Sequence, residues 1–166
     1  MSADKPLVGI LMGSDSDWAV MRKAGETLAE FGIAWEARIM SAHRTPDLAA
    51  AYAREAEGRG MRVIIAGAGL AAHLAGAIAA QTALPVIGVP LAAGSLQGMD
   101  ALLATVMMPP GVPVATVGVG LSQNAALLAV QILGTADEGL RRRFSEYKEK
   151  MAQGVIAKDQ KLQSEI

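Results

Sequence analysis

Short, largely apolar runs recur along this chain, and a stretch with helical spacing follows each one. The runs occupy residues 7–12, 34–40, 62–66, 85–89 and 112–117. A strand with one face in water alternates apolar with polar residues, whereas a near-continuous apolar strand is covered on both faces. Helices between successive strands give that cover and also the crossover that parallel pairing needs. Helical patterns fall at residues 17–31 (apolar Val20, Met21, Ala24 and Leu28), 46–58 with Pro46 in the first turn, 71–82, 99–107, 123–133 and 137–154. No linker, repeat or low-complexity segment interrupts the series. The expectation is one α/β domain over residues 1–166, with residues 137–166 forming a C-terminal helix and tail.

Composition narrows the class. Apolar residues make up 52% of 166 but aromatics only 4%, so small side chains fill the interior and helices pack closely. A net charge of −1 with interspersed signs gives no footprint for nucleic acid or a membrane surface. The absence of cysteine excludes disulfides and thiolate chemistry and suits a reducing cytoplasm. Asp4 and the brief apolar run after it do not read as a signal peptide. Residues 63–80 carry no charge at neutral pH, and at eighteen residues they reach the minimum for a membrane helix. Gly67, Gly69 and His73 divide that stretch into strand, turn and helix, so it reads as soluble. The helix beginning near Ala71 is apolar nearly all round, which points to cover from other subunits. The last helix carries Leu140, Phe144, Tyr147 and Met151 on one stripe. It either packs on its own domain or reaches onto a neighbour.

In a parallel α/β sheet, ligands bind beyond the carboxyl ends of the strands. Three such ends carry distinctive segments. Gly13-Ser14-Asp15-Ser16-Asp17 places hydroxyls and backbone N–H groups at a helix start, where the macrodipole favours an anion. Ser14 or Ser16 then holds phosphate and Asp17 accepts from sugar hydroxyls; alternatively Ser16 or Asp17 simply caps its helix. Ser41-Ala42-His43-Arg44-Thr45-Pro46 brings a histidine, which titrates near neutral pH, beside an arginine whose fork suits phosphate. Gly67-Ala68-Gly69-Leu70-Ala71-Ala72-His73 offers close backbone approach to a small ligand, or tight strand-to-helix packing. His73 reads equally well as a satisfied buried histidine or as a pocket residue.

Other chemistries fit poorly. Two histidines without cysteine and without metal-ligand spacing make no metal set. Gly67-x-Gly69-x-x-Ala72 superficially matches a dinucleotide fingerprint, but it follows the third strand and lacks the acidic residue about twenty positions onward.

Several blocks in order and spacing carry a resemblance: Met12 through Trp18, Ser41 through Pro46, Ile64 through Gly69, Ala71-Ala72-His73-Leu74, Leu84 through Pro90, Gly111 through Thr116, and Asn124 through Ala129. They resemble the N5-carboxyaminoimidazole ribonucleotide mutases, the catalytic subunit class of phosphoribosylaminoimidazole carboxylase. The resemblance implies a three-layer α/β/α flavodoxin-like fold, usually a homo-octamer, working without a cofactor on a nucleotide substrate in purine biosynthesis. It implies carboxyl transfer from the exocyclic nitrogen to ring carbon C4 by decarboxylation and recarboxylation. By motif match His43 shuttles the proton. Ser14, Asp17 and Arg44 bind nucleotide with support from Ser16 and Ser41, while Gly69, Ala71 and His73 line a carbon dioxide pocket. Leu70 and Ala75 stand where many members have glycine and proline, Met107 replaces a common glutamine, and the 118–124 stretch is short. A sister class carboxylates aminoimidazole ribonucleotide directly and has lysine at the Arg44 position. Direct carboxylation and a non-catalytic nucleotide-binding module are the competing expectations.

Overall fold

The computed structural model describes residues 5–166. The elements run β1 (Val8–Met12), a 3-10 turn (Asp15–Asp17), α1 (Trp18–Glu30), β2 (Trp35–Ile39), α2 (Pro46–Ala56), β3 (Val63–Gly69), α3 (Leu74–Ala79), β4 (Val86–Leu91), α4 (Met99–Val106), β5 (Ala115–Thr116), α5 (Ser122–Gly134) and α6 (Glu138–Gln163). The five strands form one all-parallel sheet in the order β2-β1-β3-β4-β5. Val8 pairs with Trp35 on one side and Val63 on the other, and Ile64 continues the ladder to Val86. This is the flavodoxin-like α/β/α architecture expected from the alternating pattern. By compactness the chain falls into two units that divide within α5, the second being Val130–Ile166.

In the first unit the central strands β1, β3 and β4 are buried on both faces, while the edge strands β2 and β5 are half-buried to exposed. One face packs Leu11, Ile64 and Ala66 against Ala49, Tyr52 and Ala53 of α2 and Leu74, Ala75 and Ile78 of α3. On the other face α1 buries Met21, Ala24 and Leu28. Missing side chains set the helix distances: a Cβ at Gly67 would collide with the Met21 thioether, and one at Gly88 with the Thr105 methyl of α4. Close packing of this kind needs the small residues in which the chain is rich.

Three elements of the first unit differ most from the sequence reading. β3 does not stop at residue 66; it runs through both glycines to Gly69, pairing Gly67, Ala68 and Gly69 with Val89, Pro90 and Leu91. α3 is shorter than expected, because tight turns precede it: Ala72 N–H donates to the Leu70 carbonyl and His73 N–H to that of Ala71, both at 2.8 Å. Leu70 itself sits at φ +54°, a left-handed conformation uncommon outside glycine and asparagine. β5 shrinks to two residues, since Pro113 has no N–H for the ladder. The uncharged stretch 63–80 does divide into strand and helix, and among the described residues no helix is long and apolar enough to cross a membrane.

The second unit holds the end of α5 and all of α6. Asp137 caps α6 by accepting from the Leu140 N–H at 2.9 Å. The helix then runs 26 residues, nine past the expected end near residue 154, with Arg142–Glu146 and Lys161–Glu165 pairs one turn apart. Phe144 and Tyr147 stack with ring centroids 6.3 Å apart.

Candidate active site

The chain leaves β1 for β2 on one side and later places β3 on the other, so the strand order switches at β1. A crevice beyond the carboxyl ends follows from that switch. The three segments singled out in the sequence meet there around a cavity of about 420 Å³.

The first wall is the turn after β1. Ser14, extended at φ −150°, caps the 3-10 turn: its hydroxyl accepts from the Ser16 N–H while Asp17 accepts from the Ser14 N–H at 3.0 Å. Ser14 thus caps the 3-10 turn, with Asp17 completing a reciprocal box; Asp17 also holds the N-cap position of α1, without a side-chain bond to that helix. The Ser16 hydroxyl lies 3.1 Å from that of Ser14. Partial burial raises the Asp17 carboxyl above the ordinary aspartate value, opposed by the Ser14 and Gly13 N–H groups and by Arg44. Exposed Asp15 moves the opposite way, lowered first by the Ser14 hydroxyl and then by the Ser16 N–H.

The second wall follows β2. Thr45 Oγ1 accepts from the Ser41 N–H at 2.8 Å, and the Ser41 hydroxyl accepts from the N–H groups of His43 and Arg44 at 3.3 and 3.2 Å. Those bonds fold residues 41–45 into a tight turn from which His43 and Arg44 line the cavity. Arg44 Nη2 donates to the Gly13 carbonyl at 2.6 Å, clasping the first two walls together. Asp17 and Arg44 are the charged side chains lining the cavity.

The third wall is β3 and the turn beyond it. Ala68, Gly69, Leu70, Ala71 and Leu74 form a small, apolar surface, and Ala93 from beyond β4 closes its side. Ser14, Ser16, Asp17, Ser41, His43, Arg44, Gly69 and Ala71 thus all reach one cavity. His73 does not line it. It is exposed, just ahead of α3, and its Nδ1 lies 2.8 Å from His43 Nε2. Sequence reasoning passed over Ala93; its only signal is its place just past the fourth strand, on the edge where the other loops converge.

Chemically, the cavity joins an imidazole, a cation with further guanidinium donors, a half-buried carboxyl and an apolar wall. An anionic ligand with polar hydroxyls and a compact apolar reacting part fits that set.

Comparison with known proteins gives one consistent picture. The AIR carboxylase family profile matches residues 7–154. The chain is 56% identical over 162 residues to the N5-carboxyaminoimidazole ribonucleotide mutase of Mycobacterium tuberculosis, covering 98% of this chain and 93% of the relative. It is 52% identical over 163 residues to the Pyrococcus horikoshii mutase, covering 98% and 92%. Among solved structures, Treponema denticola PurE superposes with a TM-score of 0.86 at 34% identity, covering 95% of this chain and 98% of that one.

Proposed function

The chain belongs to the AIR carboxylase family, and from that membership we infer that it isomerises N5-carboxyaminoimidazole ribonucleotide to 4-carboxy-5-aminoimidazole ribonucleotide in purine biosynthesis. The observation that carries the reading into this chain's own residues is the meeting of His43 and Arg44 with the Gly13–Asp17 turn around one small-walled cavity.

The residues divide the work as follows. Arg44 and the hydroxyls of Ser14, Ser16 and Ser41 hold the phosphate end, and Asp17 accepts from the ribose. The N–C bond to the carboxyl breaks, carbon dioxide leaves, and the exocyclic nitrogen takes a proton from His43. Ring carbon C4 then attacks the same carbon dioxide and gives its proton back to His43, so no proton is gained or lost overall. Gly69, Ala71 and their apolar neighbours shelter the gas from water during the interval. No cofactor enters the balance. Arg44, where the sister class has lysine, supports isomerisation over direct carboxylation.

Purified protein given each substrate separately tests the reaction. Turnover of the N5-carboxylated nucleotide is the expected result; activity only on aminoimidazole ribonucleotide with bicarbonate would assign direct carboxylation instead. His43→Asn should lower kcat by about 10²–10⁴, the usual worth of general acid–base help, with an unchanged circular dichroism spectrum. Ligand binding with no turnover in either protein would mark a mere nucleotide-binding module. The reading extends to a cytoplasmic homo-octamer, supported by apolar side chains that a lone chain leaves uncovered on α4.

A further inference from the structure

Two residues other than glycine adopt a left-handed backbone among the described residues, Leu70 at φ +54° and Gln97 at φ +51°. They sit on separate turns, one just past β3 and the other between β4 and α4, and those turns touch. A Cβ built on Gly94 would come within 2.9 Å of Leu70 Cδ2, so the leucine side chain lies directly over that glycine. Beside it, a Cβ on Gly69 would stand 3.1 Å from the Ala93 methyl. A left-handed leucine is unfavourable and persists only where its surroundings hold it. Here the Leu70 carbonyl accepts from the Ala72 N–H at 2.8 Å, and Gln97 Nε2 donates to the Gly94 carbonyl at 3.2 Å. Resting on the isomerase reading above, we propose that Leu70 is a retention residue: its side chain forms the lip of the cavity and decides how much released carbon dioxide recombines and how much escapes.

Position supports that role. In the wall made by Ala68, Gly69, Leu70, Ala71, Leu74 and Ala93, only the two leucines carry more than a methyl group. Leu74 is buried in the core, whereas 54% of Leu70 is exposed, which puts Leu70 at the mouth. Arg44, Asp17 and the serines belong to the other two walls. Carbon dioxide carries no charge for those groups to hold, so obstruction must keep it in place. An isobutyl group across the rim blocks the exit and keeps water from the apolar wall behind it.

Two fates are open to the gas, and both balance. When the N–C bond breaks, its electron pair stays on the exocyclic nitrogen, which takes one proton. On the productive path C4 supplies the pair for the new C–C bond and releases its proton. On the loss path carbon dioxide reaches solvent, is hydrated to bicarbonate and a proton, and leaves aminoimidazole ribonucleotide behind.

The test follows the carbon. Wild type and variants receive unlabelled N5-carboxylated nucleotide in buffer holding carbon-13 bicarbonate, with carbonic anhydrase to equilibrate gas and bicarbonate. Mass spectrometry reads the label in the C4 carboxyl, free aminoimidazole ribonucleotide is measured alongside, and a blank without protein corrects for carbamate loss in solution. Glycine adopts the left-handed turn without strain, so Leu70→Gly removes the lip and relaxes the backbone. Leu70→Asn also tolerates the turn but is polar. Both should raise labelled product and free aminoimidazole ribonucleotide by roughly three- to tenfold, the worth of about half a buried leucine side chain. That rise should exceed any change in KM, because the groups that hold phosphate and ribose are untouched. Leu70→Met, apolar and similar in volume, should restore retention. Label in Leu70→Gly no higher than in the wild type would overturn the proposal, as would label in Leu70→Met matching that of Leu70→Gly. Wild-type product fully equilibrated with solution carbon would do the same. Should Leu70→Gly fail to fold, Leu70→Asn decides by the same criterion. A wild type that does not isomerise the nucleotide strikes the reaction reading; one that isomerises with the same label as its variants strikes only the role of Leu70.

Discussion

Arg44 commits one guanidinium nitrogen to the Gly13 carbonyl, which points the side chain into the cavity before any ligand arrives. The remaining donors suit a phosphate, and charged hydrogen bonds of this kind are worth about 1.5–3 kcal/mol. Arg44→Ala should therefore raise KM by roughly ten- to hundredfold with a smaller change in kcat; steady-state kinetics with unchanged KM would remove its binding role. Asp17 gives a prediction in pH. Its desolvated carboxyl has a folded value above the unfolded one, so its contribution to stability is complete at low pH and declines as pH rises through the raised value. Asp17→Asn keeps an oxygen for the Ser14 N–H. It should melt higher than the wild type at pH 7, lose that advantage near pH 3, and bind substrate less well. His43 and Arg44 were legible in the sequence because one contiguous motif holds both. The contact of His43 with His73 was not, since it depends on where two separate turns come to rest.

At the scale of elements, apolar continuity made the strands readable and the glycines blurred their ends. Gly67 and Gly69 read as a turn because glycine usually marks one. Their work here is close approach: Gly67 makes room for Met21, and Gly69 lies under Ala93 and Leu91. The same logic predicts Gly88→Ala. The added methyl would strike Thr105, a β-branched helix residue with little rotamer freedom, and press on Val114 at 3.0 Å. A loss of about 1–3 kcal/mol is expected from overpacking, measured by denaturant unfolding. A change within error would show that α4 can move away. The brevity of α3 was hidden because residues 71–73 have helical composition. Only the backbone turns ahead of it, with Leu70 left-handed, reveal a late start.

For the molecule as a whole, α3 was expected to be covered on all sides, yet within one chain only Leu74, Ala75 and Ile78 are buried and Ala77 faces solvent. Met99, Leu103 and Val106 of α4 and the following Met107 are exposed too, Met107 by 76%. An octamer would cover faces of this kind. Light scattering should return eight times the chain mass, with Leu103→Asp giving smaller species; a wild-type monomer would refute the assembly. Composition could announce that such a surplus of apolar surface exists, but not which helices carry it. The extension of β3 has a last consequence, one of time. Ala68 and Gly69 are ladder residues, so this wall of the cavity opens only when the sheet does. Their amides should exchange with deuterium as slowly as those of Ile64 and Ile65, while the turn at residues 94–97 exchanges fast. On the proposed mechanism, gas released between two bonds would meet a wall held in place by the sheet's own hydrogen bonds.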